Sequence, residues 1–227
     1  MPNFRRINDM EKRLRPLVTQ ALFADARNAT PAMAELERLL MEDEQACVTL
    51  ARKFPEAMLI KAPRSGDSLA HVCVDMSSEA ARIVFETMDL EIAVETEMGR
   101  MLLKSIAASS AEALGQMISR MPGALEFLMP PEPGLEFEHT IAEYALAINA
   151  IEIVDIPFLP VLSRLLRSNI EISEGVRQYA LETLNEGLMG REGIRFRYGI
   201  GGDVEGRQLT ADEETLVMEL MGALRAA

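Results

Sequence analysis

Gly66-Asp67-Ser68-Leu69-Ala70-His71-Val72-Cys73-Val74 decides how the rest of the chain is read. The glycine suits a turn that needs positive φ, Ser68 stands where a helix N-cap belongs, and an apolar run follows it. Nine residues after Ser68, Ser77 is a second small polar residue, placed to end one helix and cap another. Val84-Phe85 then gives the second helix an apolar pair. The stretch reads as a turn followed by two short helices.

The same opening recurs along the chain. Thr30-Pro31-Ala-Met-Ala, Met101-Leu102-Leu-Lys-Ser, Thr140-Ile141-Ala-Glu-Tyr and Ser173-Glu174-Gly-Val-Arg align with Ser68-Leu69, the five starts being separated by 38, 33, 39 and 33 residues. One helix pair with its turns occupies about this length. Ser110 and Asn149 follow Met101 and Thr140 by the same nine residues that separate Ser77 from Ser68. Met117-Ile118 and Ile156-Pro157 stand where Val84-Phe85 stands, and Gly99 precedes Met101 as Gly66 precedes Ser68.

On these residues the chain resembles the ankyrin-repeat family, whose unit has a glycine, a Thr-Pro-Leu-His-like helix opening, a short break and a second helix with paired aliphatics. Residues 66–74 are the best copy, with His71 at the family's histidine position; Gly99–Ala107 and Thr140–Ala145 are weaker ones. The resemblance covers residues 30–170. It implies a stack of helix pairs, His71 bonded to neighbouring backbone groups, and a role in binding other proteins through outer faces and inter-repeat loops. Pro160-Val-Leu-Ser-Arg-Leu-Leu and Gly175-Val-Arg-Gln-Tyr-Ala-Leu-Glu-Thr-Leu read more like a HEAT-type stack, which is the second reading.

The expected fold is therefore all-α, an α-solenoid of helix-pair repeats with a short β-hairpin near the C-terminus. Residues 1–29 are expected as an N-terminal helical cap, 30–190 as the repeats, and 191–227 as a C-terminal hairpin and capping helix. Asn8 with Glu11 reads as a capping box, and Pro16 as a kink or break in the first helix. Thr30-Pro31 reads as a cap with proline at the first helical position. Asp43 should cap the next helix, and Phe54-Pro55 should end it. Ile194, Phe196 and Tyr198 alternate with Arg195 and Arg197 as in a half-buried strand, Gly201-Gly202 marks a turn, and Thr210 with Glu213 boxes the start of a last helix. Leu69, Val72, Leu102, Ile106, Ile141, Tyr144 and Ala145 are expected in the core.

Composition narrows the function. The formal net charge is −13 and the isoelectric point is near 4.7. A phosphate backbone would be repelled, so direct nucleic-acid binding is not expected. Arg5, Arg6, Lys12, Arg13 and Arg15 are a local exception, read as a solvated helix face with an anionic docking patch as the alternative. The most apolar stretch, 145–162, contains Asn149, Glu152, Asp155, Pro157 and Pro160; it reads as a buried helical segment, and no membrane partner is expected. The first residues lead into a charged helix rather than a secretory signal. Two cysteines in apolar settings, Cys47 and Cys73, fit a reducing, cytoplasmic compartment and inert thiols.

Candidate chemistry is sparse. Glu136-Phe-Glu-His139 has the Glu-x-x-His spacing of a di-iron half-site, but the second copy such a site needs is missing. His71 and Cys73 are two residues apart, which points them to different helix faces. Gly199-Ile-Gly-Gly reads as a hairpin turn, since no helix N-terminus or Lys-Ser/Thr follows at phosphate-loop spacing. No catalytic, cofactor-binding or metal-ligating residue is assigned, and no cofactor is expected. The favoured function is a non-enzymatic protein–protein interaction module with a partner of basic character. An acidic inhibitor or immunity-type protein is the alternative, and an enzyme with a carboxylate-based site is a third reading. The partner-binding residues are placed on the junctions at 62–67, 94–100 and 130–138: Arg64, Asp67, Glu95, Glu97, Arg100, Glu132, Glu136 and Glu138.

Overall fold

The computed structural model describes residues 4–24, 26–129, 138–152, 154–188, 196–197, 203–204 and 209–227. Helix dominates them, as the capped apolar stripes predict. The chain forms two compact units, Met1–Leu90 and Glu91–Ala227.

In the first unit, α1 (Phe4–Phe23), α2 (Ala26–Glu42), α3 (Glu44–Lys53), α4 (Leu69–Met76) and α5 (Ser78–Thr87) follow one another. Leu14, Leu36, Leu40, Leu50, Leu69, Val74 and Phe85 are fully buried and come from all five helices. The second unit holds α6 (Leu90–Glu95), whose first residue belongs to the other unit, then α7 (Glu97–Ser109), α8 (Ala111–Arg120), α9 (Ile141–Ala147), α10 (Leu159–Leu166), α11 (Glu174–Leu188) and α12 (Ala211–Ala226). Leu103, Ile106, Leu114, Ile141, Leu162 and Leu220 fill its core. Of the expected core residues, Leu69, Leu102, Ile106, Ile141 and Ala145 are buried, while Val72 and Tyr144 are half-buried.

Small polar residues set the helix boundaries. The Asp43 carboxylate accepts from the Gln45 N–H and opens α3. Ser77 closes α4 and accepts from the Ala80 N–H to open α5. Ser110 does the same between α7 and α8, accepting from Ala113 N. Each of these caps satisfies one of the amide donors that a helix start leaves without a partner. The three helices so opened, α3, α5 and α8, are all ten residues long, and their caps are spaced by 34 and 33 residues. Ser68 and Thr140 cap α4 and α9 as expected, and α11 begins immediately after Ser173.

Several expectations need correction. α1 starts at Phe4, so Asn8 lies inside it rather than capping it, and Pro16 does not split it. Pro16 is on the exposed face, where water can satisfy the carbonyl one turn back that the proline leaves without a donor. α2 begins at Ala26, which places Thr30-Pro31 inside the helix. Met101 also lies inside its helix, because Thr96 caps α7 by accepting from the Gly99 N–H. Asn149 is no cap: it is buried in a π-helical turn, Ile148–Glu152, and its amide donates to the carbonyls of Ala108 and Ala145, both at 3.0 Å. The stretch 145–162 is not one helical segment. It passes through the end of α9, the π turn, β3 (Val154–Asp155), a 3-10 turn and the start of α10, broken ahead of Pro157, which cannot continue a ladder, while Pro160 sits in the first turn of α10, where no N–H is needed.

Among the described residues, strand is confined to two-residue pieces. β1 (Leu128–Met129) pairs antiparallel with β2 (His139–Thr140). β4 (Phe196–Arg197) pairs antiparallel with β5 (Asp203–Val204), where the C-terminal hairpin is expected, and β3 adds to β4 in parallel. Gly199 and the Gly201-Gly202 turn lie outside the described residues. The box at Thr210 and Glu213 is closed from both sides and opens α12.

Candidate interaction site at the helix junctions

The first junction begins where Phe54-Pro55 stops α3. A 3-10 turn over Pro55–Leu59 follows, and the backbone then extends at Ile60. Lys61 and Ser68 form an antiparallel bridge, and the Ala62 N–H donates to the Asp67 carbonyl at 2.6 Å. Gly66 turns the loop with a φ of 80°, a conformation that L side chains rarely adopt. Under the loop sits Glu37 of α2, only 1% exposed, whose carboxylate accepts the N–H groups of Arg64 and Ser65 at 2.9 and 3.0 Å. Two charge-assisted bonds offset the burial of that carboxylate and fix the loop. The side chains of Arg64 and Asp67 point the other way: both are exposed, and neither has an ion-pair partner among the described residues.

The second junction is not the loop expected over 94–100. Only Thr96 separates α6 from α7. A Cβ on Gly99 would lie 2.6 Å from the Ala93 Cα and closer still to its carbonyl oxygen, so the two short helices meet backbone to backbone there. Glu95 therefore ends α6, while Glu97 opens α7, where a carboxylate is favoured by the helix dipole. Arg100 lies in the second turn of α7, its guanidinium 5.6 Å from the centre of the Phe127 ring.

Phe127 leads into the third junction. A proline-opened 3-10 turn, Pro122–Glu126, ends α8 with the backbone conformation seen after α3: Met121 and Phe54 share φ near −145° and ψ near 55°. The Phe127 carbonyl accepts the Ile141 N–H, as that of Ile60 accepts Leu69. Glu138 is exposed at the foot of the hairpin; Glu132 and Glu136 fall in 130–137, outside the described residues. The foot is built from buried groups. His139, 1% exposed, stacks on Tyr144 at 5.3 Å, and the Lys104 ammonium lies 4.5 Å from the centre of the same ring. Thr140 and Glu143 form a capping box, and the second Glu143 oxygen accepts the Ser173 N–H at 2.9 Å, tying α9 to the start of α11. Burial alone would raise the Glu143 carboxyl, but the bonds from Ser173 and Thr140 outweigh it and hold the group below its ordinary 4.5.

Charge is unevenly shared. Residues 1–90 carry 12 basic and 14 acidic side chains, net −2; residues 91–227 carry 11 and 22, net −11. In the first unit five acidic groups pair with arginines: Glu11 with Arg15, Glu35 and Glu42 with Arg38, Glu79 with Arg52, Glu86 with Arg82. Lys12 pairs with Asp9, and Arg15 also covers the Phe54 ring, so these two N-terminal cations are engaged on a solvated face. Glu95, Glu97 and Glu138 differ, for among the described residues none of them meets a cation.

Cys47 donates to the Leu40 carbonyl at 3.2 Å, and burial together with Cys47 pushes the Cys73 thiol well up, away from the thiolate a nucleophile needs. The His71 ring nitrogen Nδ1 lies 2.8 Å from the Ser68 hydroxyl. Among the described residues no three of His, Cys, Asp and Glu are grouped to hold a metal ion, and no helix is long and apolar enough to cross a membrane. A cleft of about 400 Å³ between α11 and the end of α12 has one carboxylate, Glu174, 3.5 Å from Arg177. Glu37, Lys104 and Asn149 were not legible as junction residues, since their partners lie 27 to 41 residues away. Thr140 and Glu143 do carry a local signal, the Thr-x-x-Glu of a capping box. No family model matches the chain, and no curated protein or solved structure is significantly similar to it.

Proposed function

We propose that this chain is a non-enzymatic protein-interaction module of ankyrin-like helix-pair repeats, which binds a partner of basic character at its helix junctions. One observation carries the reading. Two junctions are anchored by buried groups, the first by Glu37 under Arg64 and Ser65, the third by His139 of β2, which stacks on the half-buried Tyr144. Their outer side chains, Arg64, Asp67, Glu95, Glu97 and Glu138, are exposed and form no ion pair among the described residues. Loops fixed in advance lose less entropy on binding. The ten-residue helices recurring at 34 and 33 residues support the repeat assignment, and the exposed carboxylates would speed association with a basic protein.

The charge of residues 91–227 favours a second reading, an acidic inhibitor that occupies a basic or nucleic-acid-binding site. Competition separates the two: an inhibitor of this kind is displaced by DNA or RNA, a scaffold is not. The test of the first reading is affinity capture from an extract of the native host, identified by mass spectrometry, with the wild type beside a chain in which Glu97, Glu132 and Glu136 are changed to Lys. A protein held by the wild type and lost by the reversed chain is expected. Equal recovery by both, or no recovery by the wild type, overturns the reading.

A further inference from the structure

Three large apolar side chains of the second unit remain in solvent near its acidic junctions: Ile92 at 58%, Met98 at 51% and Leu128 at 60% exposed. Two contacts bring their elements together. Ala93 lies against Gly99, which sets Ile92 and Met98 on either side of the α6–α7 corner. Arg100 covers Phe127, which brings the first turns of α7 to the strand that carries Leu128. Alternation along that strand turns Met129 into the core, 2% exposed, and leaves Leu128 outside. Glu95, Glu97 and Glu126 stand within three residues of these in sequence, and Glu138 directly precedes the strand that pairs with β1; all four are exposed and without a cation among the described residues.

We infer that the α6–α7 corner and the paired strands β1 and β2 form one docking face for an amphipathic, lysine- or arginine-rich segment of a partner protein. The inference rests on the interaction reading and names the partner's chemistry. Charge complementarity selects this occupant. A second copy would bring its own four carboxylates against the same four, and a nucleic acid or anionic lipid surface would be repelled. A wholly apolar partner would strip water from the carboxylates without replacing it. A segment with a few apolar anchors flanked by cations covers Met98 and Leu128 and meets the carboxylates at the rim, the arrangement of a dry centre inside a polar ring.

The experiment uses the intact chain and a labelled helical peptide of leucine and lysine, about 14 residues or four turns long, with leucines on one face. A second peptide of the same composition has its leucines scattered. Fluorescence anisotropy gives both affinities for the wild type, for M98S/L128S, and for Y179S/M218S, which removes exposed apolar groups on α11 and α12; circular dichroism checks each fold. The amphipathic peptide is expected to bind about tenfold tighter than the scattered one, with M98S/L128S abolishing that advantage and Y179S/M218S keeping it. Equal binding of the two peptides, or wild-type affinity in M98S/L128S, overturns the inference. So does self-association of the wild type that M98S/L128S abolishes, which would make the occupant a second copy. A native partner that holds M98S/L128S as tightly as the wild type overturns this inference and leaves the interaction reading standing. Failure of the wild type to capture any protein overturns that reading itself.

Discussion

Gly66 and Gly99 look alike in sequence, each two residues ahead of an aligned helix start, yet they are glycine for different reasons. Gly66 needs freedom of φ, and this was legible from the turn it opens. Gly99 sits inside α7 with ordinary φ and is small because Ala93 presses on it, a contact that no local pattern announces. Gly99→Ala should therefore destabilise the protein by about 1–3 kcal/mol through overpacking, read by denaturant unfolding. Gly123→Ala, where an added Cβ meets nothing within 4 Å, should stay within about 0.5 kcal/mol. Glu143 gives a prediction in pH. Its folded-state pKa is depressed, so its contribution is present above about 4.5 and is lost as pH falls through the folded value. Glu143→Gln should cost about 1–3 kcal/mol at neutral pH, as expected for charge-assisted bonds to a buried group. The gap between variant and wild type should narrow as pH falls below about 4.5, and a gap independent of pH there would contradict the assignment.

At the scale of elements, the helix boundaries legible in the sequence were those written by a local cap. Asp43, Ser68, Ser77, Ser110, Thr140 and Thr210 each accept an amide two or three residues ahead, and that bond depends on near neighbours alone. Thr30 and Met101 were misread because their helices start earlier, at Ala26 and at the Thr96 cap; Asn149 was misread because distant packing overrode the same pattern, its amide being spent on the Ala108 carbonyl, 41 residues away. The Ser77→Ala and Ser110→Ala variants should each lose about 1 kcal/mol, measured by thermal unfolding. The junctions obey the same division. Phe54-Pro55 and Met121-Pro122 announce where α3 and α8 stop, but the anchor beneath the first loop is invisible from the loop itself. Glu37→Ala should leave the amides of Arg64 and Ser65 without acceptors. Hydrogen exchange at those two amides should accelerate about tenfold or more, with the amides of β1 and β2 unchanged. Unchanged exchange at Arg64 and Ser65 would mean that Glu37 does not hold the loop.

For the whole molecule, the helical class was legible in the sequence. Caps and apolar stripes gave a helical chain, whereas the division at Leu90 lies within the stretch expected as one run of repeats. Net charge was legible as a total but not as a distribution, since −11 of the −13 resides after residue 90. That asymmetry predicts that association with a basic partner slows steeply between low salt and about 0.15 M, where the Debye length falls to about 8 Å; stopped-flow rates insensitive to salt would argue against a role for the exposed carboxylates. The account's central claim is that the junctions, not a cleft, are where this protein works. Its most direct test is the hydrogen-exchange footprint of the native partner on the intact chain. The account predicts protection concentrated at residues 61–67, 91–100 and 126–140, while α11 and α12 exchange as in the free protein. Protection confined to the cleft lined by Glu174, Arg177 and Arg225, with the junctions unaffected, would contradict it.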